Sequence, residues 1–186
     1  MENKRPLLVV FAGPNGSGKS TITVNFDKPE RYTNADEIVK NADMTNAEAT
    51  KYVTQKRYEA IEKKLDFSFE TVLSSDYSMD IIRKARTEGY FIKCVFVLTA
   101  SPALNVLRVQ ARTEQGGHDV PREKIVSRYD KSLDNIKELL QLCDILHVYD
   151  NTGAEPWRIF RKHKEEPYKI FPNEFWNEED VLKLVM

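Results

Sequence analysis

The segment from residue 13 to residue 20 has the residue types and spacing that bind nucleotide phosphates. It fits G-x-x-x-x-G-K-[ST] at every fixed position and reads Gly13, Pro14, Asn15, Gly16, Ser17, Gly18, Lys19 and Ser20. The backbone N–H groups of such a loop and the N-terminus of the following helix attract phosphate oxygens. We therefore expect Lys19 to contact the β- and γ-phosphates of ATP, Ser20 to bind Mg²⁺, and Thr21 to complete the nucleotide-binding segment. The alternative is a glycine-rich turn that merely joins a strand to a helix.

Acidic and hydroxyl side chains follow two predicted strands. Asp36 comes after the second predicted strand, and Glu70 and Thr71 end the third. Because ligands of α/β sheets bind beyond the carboxyl ends of the strands, Asp36 is expected to accept the proton of an attacking hydroxyl. Glu70 is expected to hold a magnesium-bound water or a substrate hydroxyl, and Thr71 to hydrogen-bond the acceptor. The alternatives are that Asp36 only caps the short helix from Glu37 and that Glu70 is an ordinary exposed strand exit.

Four arginines lie in a stretch that we interpret as a lid, about residues 108–128. Arg108 and Arg112 are four residues apart on one predicted helix, so their side chains share a face. Arg122 and Arg128 follow a pair of glycines, which we expect to act as a hinge for closure. Guanidinium groups stabilise the charge that develops on a transferring phosphate, although solvated arginines on amphipathic helices are the alternative.

The elements that position these residues follow from apolar periodicity, which predicts strands alternating with helices. Strands are predicted at 7–12, 31–34, 67–69, 90–98 and 145–149, and helices at 19–25, 45–65, 79–88, 102–112, 122–142 and 178–185. The pattern predicts one α/β domain over 1–186 with a doubly wound parallel sheet, right-handed crossovers and helices on both faces. The tail, about 155–186, is predicted to add an edge hairpin and a short helix.

Composition restricts the classes of protein to which the chain can belong. The 28 lysines and arginines nearly balance the 29 aspartates and glutamates, so no net field favours nucleic acid or membranes. No apolar run approaches the roughly 20 residues of a membrane span, and no signal peptide is evident, which predicts a soluble cytoplasmic protein. Cys94 and Cys143 are expected to be buried free thiols, with a disulfide or metal pair as the alternative.

Taken together, these motifs resemble those of the zeta-toxin family of P-loop kinases. The resemblance covers about four fifths of the chain, from residue 7 to residue 153, and rests on 9–20 (VVFAGPNGSGKS), 34–37 (NADE), 69–71 (FET), Arg112, 117–121 (GHDVP), 127–129 (SRY), Ser132, Leu133, Asn135 and 149–151 (YDN). It implies a nucleotide-kinase-like core with five parallel strands, and ATP and Mg²⁺ as cofactors.

The resemblance also implies roles for individual residues. Lys19 and Ser20 match the family's phosphate and Mg²⁺ residues, and Asp36 matches its catalytic base. Glu70 and Thr71 match the segment that approaches the acceptor. Arg112 and Arg128 fall in the basic lid that stabilises the transferring phosphate, with His118 or Lys131 as alternative matches.

Zeta toxins are kinases of UDP-activated amino sugars that a small antitoxin holds inactive. The resemblance therefore implies an ATP-dependent kinase that transfers the γ-phosphate to a hydroxyl of a small molecule such as a UDP-amino sugar, with an antitoxin as protein partner. Two alternatives stay open. One is a nucleotide-binding regulatory or toxin module that acts through a protein partner and hydrolyses ATP only slowly. The other is a polynucleotide 5′-kinase, which the balanced charge disfavours.

Overall fold

The described residues form seven strands and eight helices. A computed structural model describes residues 4–42, 44–117 and 119–186; His118, one of the alternative matches for the basic lid residues, lies outside the described residues. The strands are β1 Leu7–Ala12, β2 Tyr32–Thr33, β3 Phe67–Thr71, β4 Phe91–Leu98, β5 Ile145–Asp150, β6 Trp157–His163 and β7 Lys169–Ile170. The helices are α1 Lys19–Thr23, α2 Ala35–Asn41, α3 Asn46–Glu62, α4 Asp76–Thr87, α5 Pro102–Glu114, α6 Arg122–Asp134, α7 Ile136–Leu142 and α8 Glu178–Val185.

All strands belong to one sheet with the order β2-β3-β1-β4-β5-β6-β7. The first five strands pair in parallel, whereas β6 and β7 pair antiparallel at the C-terminal end of the sheet. Thus the predicted α/β architecture is confirmed, including the five parallel strands and the edge hairpin.

The central strand β1 is apolar throughout because both faces of the sheet are covered. Leu8, Val10 and Ala12 pack into the larger core cluster, while Val9 and Phe11 point to the other face and pack with Ile22 of α1. This alternation follows from the two-residue period of a strand. The pairing of Ala12 with Thr71 brings the carboxyl ends of β1 and β3 together, which places the P-loop beside the residues that follow β3.

The predicted helix at 122–142 is divided, and this part of the prediction is wrong. The side chain of Asn135, between α6 and α7, donates to the carbonyl oxygen of Leu73 at 2.9 Å. One turn earlier, the Ser132 hydroxyl donates to the carbonyl oxygen of Val72 at 2.6 Å. Both bonds satisfy carbonyls of the irregular segment after β3, so the helix is broken where it supports the site.

The glycine pair that we expected to act as a hinge caps a helix. The N–H of Gly117 donates to the carbonyl of Arg112 and that of Gly116 to the carbonyl of Thr113, both at 2.9 Å, which is a Schellman motif at the end of α5. Gly116 has φ 84°, and a Cβ at position 117 would lie 2.6 Å from Cγ of Arg112. The left-handed backbone at Gly116 and the close approach of Arg112 to Gly117 therefore favour glycine at both positions.

The two cysteines are buried free thiols, as expected, and burial raises the pKa of Cys94. Over the described ranges, no helix is long and apolar enough to cross a membrane.

Candidate active site

The loop between β1 and α1 has glycine where its backbone conformation and close packing require one. Gly16 has φ 77°, in the left-handed region that favours glycine. A Cβ there would lie 2.4 Å from the backbone oxygen of Asn105 on α5, so the loop packs directly against that helix. The side-chain amide of Asn151, just after β5, donates to the carbonyl of Ser17 at 2.8 Å. The loop is therefore held from two sides.

Lys19 is buried at the start of α1, and its ammonium group turns back into the loop. Nζ donates to the carbonyl oxygens of Gly13 at 2.8 Å and Pro14 at 3.2 Å. Burial lowers the pKa of Lys19 most; the carboxylates of Glu70 and Asp36 raise it, and the charge of Arg112 lowers it further. The ammonium charge therefore interacts with the charges of Glu70, Asp36 and Arg112, which the sequence predicts to act in phosphoryl transfer.

The same loop fits ATP and Mg²⁺. The hydroxyl oxygen of Ser17 is buried and has no hydrogen-bond partner among the described residues, so it can donate to a phosphate oxygen. Ser20, the second residue of α1, is exposed and offers its hydroxyl to a cation. In the part of the chain that the structure describes, no three His, Cys, Asp or Glu side chains form a metal site. Mg²⁺ usually binds through one or two protein oxygens plus substrate phosphates and water, which this site can accommodate.

Asp36 lies in the first turn of α2 with its carboxylate exposed. The helix is capped by Asn34, whose Oδ1 accepts the N–H of Asp36 at 3.1 Å. Capping is therefore the role of Asn34, and our alternative that Asp36 only caps this helix is wrong. Asp36 lines a cleft of about 180 Å³, here named the transfer cleft, together with Lys19, Asn34, Ala35, Thr50, Val53, Arg57, Glu70, Thr71, Val72, Ser75, Tyr77 and Ser78.

Glu70 reaches into the transfer cleft from the end of β3. Its side chain is half-buried and accepts a hydrogen bond of 3.4 Å from the Tyr32 hydroxyl. Burial raises the pKa of Glu70; Lys19 opposes this effect, and the charges of Glu37 and Asp36 add to it. Glu70 is therefore not an ordinary exposed strand exit.

The raised pKa makes the stability of the protein depend on the charge of Glu70. The folded state holds this proton more tightly than the unfolded state, so ionised Glu70 destabilises the fold at neutral pH, and the cost disappears below the unfolded pKa of about 4.3. We expect Glu70→Gln to raise the Tm at pH 7.5 and to have no effect near pH 3.5, as measured by thermal melts. Exposed Glu174→Gln is the control and should change the Tm little at either pH. A lower Tm for Glu70→Gln at pH 7.5 would contradict this prediction.

Thr71 also lines the transfer cleft, but its hydroxyl is engaged with the chain itself. Oγ1 accepts the N–H of Leu73 at 3.0 Å and shares a hydrogen bond of 2.8 Å with the Ser78 hydroxyl. These contacts hold the turn in which Leu73 has φ 57°. A contact between Thr71 and the acceptor would therefore be made by a hydroxyl that already forms these two hydrogen bonds.

Of the four arginines interpreted as a lid, Arg128 shares an opening with Asp36. Both line a second opening of about 320 Å³, here named the lid-side cleft, with Asn15, Ala35, Asn46, Thr50, Val72, Asp119, Val120, Pro121 and Lys124. Arg108 instead donates from Nη2 to the carbonyl of Thr152 at 3.4 Å, beyond β5. Arg122 and Lys131 are exposed on α6 and line neither cleft.

Sequence reasoning missed three residues that the structure adds to the site, namely Lys124, Asn151 and Arg57. Lys124 lies four residues before Arg128 on α6, and that spacing was a usable signal. Asn151 was noted only as part of a motif. Arg57 occupies the buried face of α3, between Val53 and Ile61, where an apolar residue is expected. A charge at a core-facing helical position was the signal for it.

Comparison with known proteins gives a match to one sequence family and to several solved structures. The sequence model of the Zeta toxin family matches residues 29–162. An uncharacterised protein of Haemophilus influenzae is 25% identical over 135 residues, which cover 69% of this chain and 94% of that protein. A solved structure from the PezAT chromosomal toxin-antitoxin system of Streptococcus pneumoniae matches with a TM-score of 0.60 and 18% identity over 84% of this chain and 74% of that one.

The AvrRxo1-ORF1:-ORF2 complex, crystallised with ATP, contains a chain that matches with a TM-score of 0.72 and 12% identity over 91% of this chain. This protein spans 61% of the length of that chain. At such identities the solved structures show a shared fold, whereas the family model matches well over half of this sequence. The chain belongs to the zeta-toxin family.

Proposed function

We propose that this protein is a kinase that transfers the γ-phosphate of ATP to a hydroxyl group of a small molecule. The observation that carries the proposal is that Lys19, Asp36 and Glu70 line one cleft at the carboxyl ends of the parallel strands. A buried cation at a P-loop beside an exposed carboxylate is the arrangement that phosphoryl transfer needs, because the chemistry depends mainly on positioning and charge stabilisation.

In the proposed reaction, Asp36 accepts the proton of the acceptor hydroxyl while that oxygen attacks the γ-phosphorus. The bond between the γ-phosphorus and the β,γ-bridging oxygen breaks, and ADP leaves. Lys19, Arg112 and Arg128 stabilise the negative charge on the transferring group. Mg²⁺, held by Ser20 and the ATP phosphates, would neutralise part of that charge.

Family membership supports a UDP-activated amino sugar as the first candidate acceptor, which Glu70 and Thr71 would contact. A small antitoxin is the proposed protein partner, since PezAT is described as a toxin-antitoxin system and AvrRxo1-ORF1 was crystallised with AvrRxo1-ORF2. The same complexes favour a second candidate function, a nucleotide-binding module that acts through a protein partner and hydrolyses ATP slowly.

Incubation with γ-labelled ATP and Mg²⁺ against a metabolite panel tests the proposal. The panel includes UDP-N-acetylglucosamine, its neutral fragment N-acetylglucosamine and a single-stranded oligonucleotide with a 5′-hydroxyl. We expect label on a small-molecule member of the panel. Label on the oligonucleotide would favour the polynucleotide 5′-kinase. Label released only as free phosphate, with no labelled product, would contradict the kinase and favour the partner-binding module.

A further inference from the structure

Arg57 is a buried cation in the wall of the transfer cleft. It lies on α3, its residue is 3% exposed, and its guanidinium carbon is 4.2 Å from the centre of the Phe69 ring. Nε donates to the hydroxyl oxygen of Thr33 at 3.0 Å, and Nη2 donates to the carbonyl oxygen of the same residue at 3.4 Å. All of these partners are neutral.

Within the described ranges, no carboxylate forms an ion pair with Arg57. Glu70 lines the same cleft, but the cation that lowers its pKa is Lys19 rather than Arg57. A charge removed from water costs several kcal/mol unless an opposite charge and hydrogen bonds compensate for it, and the neutral contacts here compensate only in part. Burial accordingly lowers the pKa of Arg57.

A second cavity on the other side of Arg57 adds to the positive charge. This cavity of about 530 Å³ is lined by Arg31, Lys56 and Lys63 against the single carboxylate Glu59, and by the rings of Tyr32 and Tyr52. Arg57 lines both this cavity and the transfer cleft. Basic side chains therefore outnumber carboxylates in the cavity that adjoins the transfer cleft at Arg57.

We propose that Arg57 binds an anionic group of the acceptor, a phosphate or a carboxylate, within the transfer cleft. The inference rests on the proposed function, because it assigns a chemical group to that acceptor. A guanidinium fork matches the oxygens of such groups in two places at once. The anion would supply the negative charge that the folded protein does not place beside Arg57, while the acceptor hydroxyl lies near Asp36.

Binding of matched probes tests the inference without requiring turnover. Protein saturated with a non-hydrolysable ATP analogue, which occupies the P-loop, is titrated with UDP, with glucuronate and with neutral uridine. We expect UDP or glucuronate to bind more tightly than neutral uridine. The tighter-binding of the two probes identifies phosphate or carboxylate as the anionic group that Arg57 prefers. Arg57→Met should weaken the binding of that probe by roughly ten- to a hundredfold, the range for a charge-assisted hydrogen bond, and Arg57→Lys should weaken it less.

Lys56→Met is the matched control, because Lys56 precedes Arg57 on α3 and lines only the second cavity. An equal loss of affinity in Lys56→Met would overturn the inference in favour of a general positive field, and unchanged affinity in a folded Arg57→Met protein would also overturn it. Where an acceptor is found, Arg57→Met should raise its KM and leave the KM for ATP unchanged. Anion binding that depends on Arg57 in a protein without kinase activity would retain the inference and reject only the proposed function.

Discussion

Asp36→Asn is expected to lower the rate of phosphoryl transfer by roughly 10²- to 10⁴-fold, the usual contribution of a general base, without loss of ATP binding. Asparagine has nearly the same shape but cannot accept the proton. The cap of α2 is supplied by Asn34, so the helix should keep its start. The ammonium of Lys19, which binds phosphate in our proposal, contacts loop carbonyls and makes no hydrogen bond to Asp36.

The measurement is product formation from γ-labelled ATP beside a binding titration with an ATP analogue. Asp76→Asn is a suitable control, since Asp76 is also an exposed aspartate in the first turn of a helix but lines neither cleft. Full transfer by Asp36→Asn would remove Asp36 from the role of base. Loss of ATP binding together with transfer would instead place Asp36 in nucleotide binding.

Gly16→Ala is expected to destabilise the fold and abolish ATP binding. Two costs add at this position. The left-handed backbone, with φ 77°, costs an alanine about 1–2 kcal/mol. The new Cβ would also lie 2.4 Å from the backbone oxygen of Asn105, and relieving such a clash typically costs a further ~1–3 kcal/mol because backbone has to move. At about 2–4 °C per kcal/mol for a chain of this size, the Tm should fall by roughly 4–20 °C.

Gly89→Ala separates the two costs. Gly89 has φ 83° at the end of α4, but a Cβ there meets nothing within 4 Å. It should therefore show only the backbone cost and leave ATP binding intact. Thermal melts and ATP titrations of both variants are the measurement. Equal Tm losses in the two variants would contradict the packing of the P-loop against α5.

Most of the fold could be predicted because apolar runs report strands that are buried on both faces. β1 and β4 are the clearest examples, since helices cover the sheet on both sides and leave no polar face. The break at Asn135 could not be predicted in the same way. At that point the Asn135 side chain bonds to Leu73, a residue distant in sequence, whereas the local pattern of 122–142 continues to favour a helix.

The site was predictable where a short motif contains its own geometry, as the P-loop does. Predictions that depended on the direction of a side chain were weaker. The sequence could not show that Arg108 turns towards Thr152 while Arg128 lines the lid-side cleft with Asp36, because both arginines lie on amphipathic helices. Glycines 116 and 117 were interpreted as a hinge because helix termination and chain flexibility both use glycine.

The two ends of the sheet have a consequence for assembly. Its terminal strands, β2 and β7, contain two residues each. An incoming chain that extends a sheet needs a row of free backbone donors and acceptors, and two residues offer too few for lasting attachment. The antitoxin proposed above should therefore contact side chains of helices and loops and should not extend the sheet.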